Sequence, residues 1–456
     1  MSQPVTQLDR QRLTRLIARE RERFEETHPR SRELHEQAAR HLLGGAPMPW
    51  MTLWPGGYPL RLAQAAGARI TDVDGHVYAD FCLGDTGAMA GHAPPATLAA
   101  IAEQAGRGIT TRLPTEDAGW VGAELARRFG LPYWSCALSA TDANRFTLRI
   151  ARYVTGRPKV LVFNGCYHGT VDEAQATLAA DGTVIAARGG KGPPVDPALT
   201  TRVVEFNDLP ALDAALAHGD VAAVLAEPAL TNIGIVPPEP GFHAGLRDLT
   251  RRHGTLLIID ETHTISSGPG GYTAAHNLQP DLLTVGKALA GGVPIGLFGL
   301  SAAVVERLAQ LGDADLGGVE GIGGTLAGNA LSLAALRATL EQVLTDDAFT
   351  RMIALAERYA VAAEAAIRER GLPWVIVQLG ARAEYRYCPD VPRSGAESAR
   401  AEDRDLDEYL HLYLLNRGVL LTPFHNMALM CPATDAAAVE LLIAQFTGAL
   451  DDLLTG

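Results

Sequence analysis

Lysine and paired cysteines are scarce in this chain of 456 residues. It has only three lysines, Lys159, Lys191 and Lys287, whereas arginine supplies the other 36 of its 39 basic residues. A function that depends on a lysine amine therefore has three candidates. The five cysteines are scattered, odd in number and include no Cys-x-x-Cys pair. This argues against a disulfide framework or a structural zinc site, and it favours a reduced, cytoplasmic setting.

Positive charge and membrane-spanning sequence are also lacking. The formal net charge is −13, which disfavours nucleic acid or an anionic membrane as a partner. The N-terminus has no apolar signal core, so we expect no leader peptide. Residues 288–305 form an uncharged stretch of 18 residues, but Gly291, Gly292 and Pro294 would break a helix there. We therefore expect no transmembrane segment.

Short apolar runs alternate with helical patterns through the middle of the chain. The runs are KVLVF (159–163), RVVEF (202–206), VAAVLAEP (221–228), TLLIIDE (255–261) and LLTVGK (282–287). Such runs predict an α/β fold with a mostly parallel sheet that helices cover on both faces.

The pattern changes at about residue 331. A long helical pattern, two strand patterns and a helical tail follow, which predicts a smaller α+β domain. We expect an N-terminal arm and joining segment over residues 1–80, a large domain over 81–330 and the small domain over 331–456.

Two chemically complementary side chains follow neighbouring predicted strands. Asp260 comes directly after LLII, and Lys287 comes directly after LLTVG. Ligands bind beyond the carboxyl ends of the strands in an open parallel sheet. A lysine that forms a Schiff base and an aspartate that pairs with a pyridine nitrogen suit pyridoxal 5′-phosphate (PLP). The alternative is that Asp260 caps a turn and Lys287 lies on the surface.

Two segments could bind a phosphate. Ser139, Ala140 and Thr141 come just before an amphipathic helical pattern, and unpaired amides at a helix N-terminus bind anions. A simple N-cap would give the same pattern. The Gly-rich segment 317–329 presents Thr325, and its alternative is a plain loop.

Other side chains on the same predicted edge could contact a planar ring. Tyr167 and His168 follow the strand KVLVF, and Glu227 ends VAAVLA. An aromatic side chain at a strand end can stack on a ring, although aromatic residues there are commonly packed in the core.

The order and spacing of these segments resemble the class III aminotransferases of the fold-type I PLP superfamily, and in particular their glutamate-1-semialdehyde aminomutase-like branch. The resemblance extends from roughly residue 40 to the end of the chain. The segments that carry it include DVDGHVYADF, SATDA followed by RIAR, FNGCYHGTVDEA, HGTLLIIDET, LTVGKALAGGVPIG and GGTLAGNALSLAA.

The resemblance implies a role for each residue that matches a family motif. Lys287 would bond to the cofactor and then move a proton, while Asp260 would keep the pyridine nitrogen protonated. Tyr167 and Thr262 would cover the two faces of the ring. The remaining implied cofactor or substrate contacts are Ser139, Ala140 and Thr141 at the phosphate, Thr325 at the phosphate of a neighbouring subunit, and His168, Glu227 and Asn232 around the site.

The substrate side departs from the family pattern. Relatives carry SPVRAF near the start, whose arginine holds a carboxylate, whereas residues 46–52 here read APMPWMT. Trp50 and Trp54 favour an apolar or aromatic substrate group, or else they pack against the body. Arg382 and Arg386 alternate with Glu384 on one strand face, as a carboxylate clamp or as a structural charge cluster.

The expected activity is ping-pong transamination between a small amine donor, with an apolar or aromatic part, and a carbonyl acceptor. The expected assembly is a homodimer with active sites at its interface. The alternatives are an intramolecular aminomutase and an amino-acid racemase or epimerase on the same scaffold. A catalytically silent relative would be expected to lose Lys287 or Asp260, and both are present.

Overall fold

The structure is a computed structural model that describes residues 8–187, 195–313, 316–317 and 321–454. The chain divides into two compact units. One comprises residues 1–94, 350–391 and 401–456, and the other comprises residues 95–349 and 392–400. These divisions lie at other positions than 80/81 and 330/331, the boundaries expected from the sequence, and the domain assignment stays a prediction.

The helices alternate with strands through the second unit and flank the strands of the first. In chain order they are α1 Arg10–Thr27, α2 Pro29–Ala38, α3 Pro95–Arg107, α4 Asp117–Phe129, α5 Ala140–Thr155, α6 Leu209–Leu216, α7 Phe242–Arg252, α8 Gly271–Ala275, α9 Ala302–Gln310, α10 Ala330–Gln342, α11 Asp346–Glu369, α12 Gly395–Arg400, α13 Arg404–Leu415 and α14 Ala436–Leu454. Over the part of the chain that the structure describes, no helix combines the length and the apolar character that a membrane crossing needs.

The strands are short and mostly buried. In chain order they are β1 Leu62–Ala66, β2 Arg69–Asp72, β3 Val77–Asp80, β4 Tyr133–Ala137, β5 Lys159–Phe163, β6 Ala176–Leu178, β7 Val184–Ala186, β8 Thr201–Val204, β9 Val221–Ala226, β10 Leu256–Asp260, β11 Leu282–Val285, β12 Gly296–Leu300, β13 Val375–Leu379, β14 Arg382–Arg386, β15 Val419–Leu420 and β16 Met427–Leu429.

The second unit is built on a seven-stranded sheet with the order β4-β12-β11-β10-β9-β5-β8. Strand β12 runs antiparallel to both of its neighbours, β11 and β4, and the remaining neighbours in this sheet pair in parallel. Alternate residues of β5 enter opposite cores, Val160 and Val162 on one face and Leu161 and Phe163 on the other. The predicted α/β fold with a mostly parallel sheet is therefore confirmed.

The first unit contains two smaller sheets, β1-β2-β3-β15 and β13-β14-β16. Helix α1 buries Leu13, Leu16, Ile17 and Phe24 on one face, at the spacing that the sequence shows. The whole of β14 is buried. This unit therefore has its own core.

Candidate functional site

Strands β10 and β11 bring an aspartate and a lysine to one edge of the seven-stranded sheet. Asp260 ends β10 and is in register with Thr284 of β11. Lys287 follows β11 after a single turn residue, Gly286, and has a left-handed φ of 53°. A non-glycine residue in that region is strained, and such strain is concentrated at functional sites.

Asp260 is a buried carboxylate that accepts hydrogen bonds from three directions. Asn144 Nδ2 donates to Oδ2 over 2.8 Å, His168 Nδ1 lies 2.9 Å from Oδ2, and the Thr262 amide donates to Oδ1 over 3.1 Å. Burial alone would raise the pKa of Asp260, but these donors outweigh it and lower the pKa to about 2. Asp260 is therefore ionised in any physiological buffer.

His168 is the charged partner of this carboxylate. Its side chain is fully buried, which lowers its pKa, but Cys166 and Asp260 together raise the pKa well above its ordinary value. The imidazolium and the carboxylate thus stabilise one another. His168, expected among the cofactor contacts, contacts Asp260.

Asn144 is a site residue that the sequence reasoning missed. Its amide group donates to Asp260, and its Oδ1 accepts a hydrogen bond of 2.7 Å from Thr284 on β11. It lies in the second turn of α5 and is completely buried. The available signal was a polar residue on the buried face of an amphipathic helix, which is rare unless the residue is hydrogen-bonded.

The Lys287 amine lies beside a histidine. Lys287 Nζ is 2.5 Å from His263 Nε2, in a buried loop that follows β10. Lys287 can donate to this nitrogen when His263 carries its own proton on Nδ1. The structure therefore places His263 against the candidate catalytic lysine.

The two remaining lysines do not compete for this role within the described chain. Lys159 begins β5, at the opposite end of the sheet from Asp260, and its Nζ donates to Ala198 O over 2.8 Å. Lys191 lies outside the described residues. Lys287 is the described lysine at the carboxyl edge of the sheet.

The N-terminus of α5 forms a second part of the same edge. Ser139 caps the helix by accepting a hydrogen bond from the Asp142 amide, and the amides of Ala140 and Thr141 have no intrahelical partner. Two glycines allow other backbone segments to approach. A Cβ on Gly169 would lie 2.0 Å from Thr141 Oγ1, and one on Gly296 would lie 2.1 Å from Ser139 O. Gly169 and Gly296 therefore pack closely against the start of α5.

Glu227 connects the segment at Tyr167 with the loop at Asn232. Its Oε1 accepts a hydrogen bond of 3.1 Å from the Tyr167 amide, and its Oε2 accepts hydrogen bonds from the amide and the hydroxyl of Thr231. Burial raises the pKa of Glu227 above its ordinary value. A pair of backbone hydrogen bonds between Leu230 and Val236 closes the loop that contains Asn232. Glu227 therefore holds the backbone at Tyr167 and at Thr231, the residue before Asn232.

The other predicted site residues lie in different surroundings. Thr325 is exposed in a turn before α10. Trp50 is 38% exposed, with its ring centroid 5.6 Å from that of Phe424. Trp54 is half-buried and packs against the core around Phe24. These surroundings leave the substrate roles of both tryptophans as predictions.

The predicted arginine pair on β14 is buried. Arg382 is 0% exposed and donates a hydrogen bond of 2.8 Å to Thr86 Oγ1, while Arg386 is 6% exposed. Glu384 on the same face accepts a hydrogen bond from the Asn426 amide. The sequence left open a carboxylate clamp or a structural charge cluster, and this burial favours the charge cluster.

Comparison with known proteins identifies the relatives of this chain. The sequence profile described as "Aminotransferase class-III" matches residues 55–432. Glutamate-1-semialdehyde 2,1-aminomutase from Sorangium cellulosum is 34% identical over 429 residues, which cover 92% of this chain and 96% of that protein.

Solved structures of similar proteins also include aminomutases. A glutamate-1-semialdehyde-aminomutase from Pseudomonas aeruginosa PAO1 has a TM-score of 0.96 and 56% identity, covering 98% of this chain and 100% of that chain. A lysine-to-alanine variant of a glutamate-1-semialdehyde-aminomutase from that organism was solved in complex with PMP. An omega-transaminase from Sphaerobacter thermophilus has a TM-score of 0.84 and 29% identity, covering 93% of this chain and 97% of that chain.

Proposed function

The chain belongs to the class III aminotransferase family of PLP-dependent enzymes, and we propose that it exchanges an amino group and a carbonyl group within a single substrate, as an aminomutase. The observation that carries this proposal is the likeness, over 98% of the chain and at 56% identity, to a glutamate-1-semialdehyde-aminomutase. The expectation from the sequence ranked transamination first, and the relatives support the alternative better.

The residues at the carboxyl edge fit PLP at both of its ends. Asp260, ionised and buried, suits a protonated pyridine nitrogen, and the amides of Ala140 and Thr141 at the start of α5 suit a phosphate. The Thr262 hydroxyl is buried without a hydrogen-bond partner among the described residues. Such an orphaned group is expected where a ligand supplies the missing contact. When bound, PLP supplies an electron sink for the carbon that bears the amino group.

The chain's own residues supply positioning and proton transfer. Asp260 holds a fixed negative charge because His168, Asn144 and the Thr262 amide orient its carboxylate. Lys287 Nζ would hold the cofactor, and as a free amine it would take up a proton from the substrate carbon and return it. His263 Nε2 holds the Lys287 amine in place by accepting one of its protons.

Transamination with a separate carbonyl acceptor is the second candidate. One observation favours it: residues 46–52 contain no arginine and include Trp50, whose side chain is partly exposed. An apolar surface there would suit a hydrophobic or aromatic amine rather than a second carboxylate. The likeness to an omega-transaminase is compatible with this candidate.

A homodimer is part of the proposal. The support is Thr325, which is exposed on its own subunit and therefore available to a neighbour. The resemblance to the family implies that a threonine at this position reaches the phosphate of the neighbouring subunit. Size-exclusion chromatography with light scattering would measure the mass, and a monomer with full activity would contradict this part.

The two candidates differ in whether a second substrate is needed. The PLP-loaded enzyme is incubated with glutamate-1-semialdehyde and no keto acid, and formation of the isomeric amino ketone is followed. We expect turnover under these conditions. In parallel, 1-phenylethylamine, β-phenylalanine and alanine are each tested by cofactor absorbance and then with an added acceptor.

The aminomutase and the aminotransferase predict different results in these assays. Conversion only in the presence of a separate acceptor would replace the aminomutase by an aminotransferase. Bleaching of the cofactor band by aromatic amines alone would support the apolar surface at Trp50. The Lys287→Ala variant should lose the absorbance of the covalently bound cofactor and all turnover, whereas Lys159→Ala should keep both. Failure of the wild-type enzyme in every assay would overturn both candidates.

A further inference from the structure

Two histidines, an aspartate and a tyrosine meet in the first unit, away from the residues described above. His28 links α1 to α2, Asp72 ends β2, and His76 lies in the turn before β3, which contains Tyr78. His28, Asp72 and Tyr78 are almost completely buried, whereas the side chain of His76 is 39% exposed. The cluster is therefore buried at His28, Asp72 and Tyr78, and solvent can reach it at His76.

Two of the separations between the donor atoms are close to those around a tetrahedral metal ion. Asp72 Oδ2 lies 3.1 Å from His76 Nδ1 and 3.5 Å from His28 Nε2. The three atoms all lie within 4.8 Å of one another. With metal–ligand bonds of about 2.0–2.1 Å, tetrahedral geometry separates neighbouring ligand atoms by about 3.4 Å.

The far side of each buried ligand is already held by the backbone. His28 Nδ1 lies 2.8 Å from Phe24 O and must donate its proton there, which leaves Nε2 with a lone pair directed into the cluster. Asp72 Oδ1 accepts hydrogen bonds from the amides of Asp74 and His76, which leaves Oδ2 for the cluster. Metal-binding histidines and carboxylates are typically oriented by such contacts.

The Tyr78 hydroxyl lies between the two buried ligands. Tyr78 has a single hydroxyl proton, and its oxygen lies 2.7 Å from Asp72 Oδ2 and 2.8 Å from His28 Nε2. The other donor within reach of Asp72 Oδ2 is His76 Nδ1, at 3.1 Å. A cation that coordinates the lone pairs of His28 Nε2, Asp72 Oδ2 and His76 Nδ1 would replace these hydrogen bonds.

We propose that His28, Asp72 and His76 bind one zinc ion, with water or the Tyr78 hydroxyl as the fourth ligand. Imidazole nitrogens and a carboxylate oxygen are ligands that Zn²⁺ prefers. The proposed ligands include no cysteine, so the lack of Cys-x-x-Cys pairs in the sequence does not argue against this site. The ion joins the α1–α2 junction to the β2–β3 hairpin, so its expected effect is on the stability of this unit.

The test is zinc binding to the purified, PLP-loaded full-length chain, without an affinity tag and after treatment with a chelator. ZnCl₂ is titrated by calorimetry, and bound metal is counted after dialysis by mass spectrometry. We expect about one zinc per chain and a rise in melting temperature with zinc. Because His76 is partly exposed, His76→Gln should fold, and it should bind zinc on the order of 100-fold more weakly.

Two further variants keep the test decisive. His41→Gln removes an exposed histidine outside the cluster and should bind zinc like the wild type. Asp72→Asn removes the shared carboxylate charge and should weaken binding at least as much as His76→Gln. No stoichiometric binding by the wild type would overturn the site, leaving a hydrogen-bonded cluster. Equal binding by wild type and His76→Gln would overturn it as well.

Discussion

Buried charge occurs on strands of both units, but in different positions. Asp260 is the last residue of β10, whereas Arg382, Glu384 and Arg386 alternate within β14. At the strand end, donors from a helix, a loop and the backbone converge on one carboxylate. Within the strand, the charged groups are enclosed by packing. An ionised group at a strand end is therefore suited to binding a ligand, while one inside a strand mainly stabilises its own unit.

The largest expected effect comes from removing the charge at the strand end. Asp260→Asn keeps the shape and an oxygen acceptor but loses the negative charge that suits a pyridinium nitrogen. We expect kcat to fall by about 10²–10³-fold, the range for one lost electrostatic contact in an active site, while the chain stays folded. Steady-state kinetics and circular dichroism measure the two quantities. Wild-type kcat in this variant would refute the role of Asp260.

The charge on Asp260 also makes the free energy of unfolding depend on pH. The pKa of folded Asp260 is about 2, below the value of about 3.9 for an unfolded chain. Its ionised form therefore stabilises the fold above about pH 4, and this contribution is lost as the pH falls towards 2. Urea unfolding of the wild type between pH 5 and pH 3 should show this loss. Asp260→Asn should show a shallower dependence.

A smaller effect, and one of a different kind, is expected within β14. Arg382→Met preserves much of the volume but removes a buried charge and its hydrogen bond to Thr86. We expect the free energy of unfolding to fall by about 3 kcal/mol, with the cofactor absorbance per folded chain unchanged. Urea denaturation and absorbance spectroscopy measure these.

The matched control is Arg69→Met, because Arg69 forms an exposed ion pair with Asp435 and such pairs contribute less than about 1 kcal/mol. If Arg382 instead clamps a substrate carboxylate, Arg382→Met would raise KM for acidic substrates selectively and leave stability near the wild-type value. That result would reverse the distinction between the two regions.

The fold was predictable from the sequence because the central strands are buried on both faces. Continuous apolar runs such as KVLVF and LLII are short and lie between helical patterns, so their period and length identify parallel strands. Asp260 and Lys287 were predictable for the same reason, since each comes directly after such a run. The division into units was harder, because α11 continues as one helix across residues 349 and 350.

The contacts around those two residues were less predictable. Asn144 reaches Asp260 across 116 positions in sequence, and no local pattern links a helix residue to a particular strand end. Arg382 and Arg386 share one face of a strand, as their alternation predicts, but the alternation did not show that this face is buried. Periodicity gives the side of a strand on which a residue lies, but packing by distant segments decides whether that side is covered.

The smallest effect is expected at His263, which contacts Lys287 just beyond the end of β11. His263→Leu removes the acceptor near Lys287 Nζ, and we expect kcat to fall about tenfold, corresponding to one lost hydrogen bond. The pH midpoint of the cofactor absorbance should also shift. A merely packed histidine would leave that midpoint unchanged. His263→Gln, which retains an acceptor, should restore it in part, and His218→Leu, at an exposed position, is the matched control. An unchanged midpoint in His263→Leu would show that His263 does not act on the cofactor together with Asp260, its donors and Lys287.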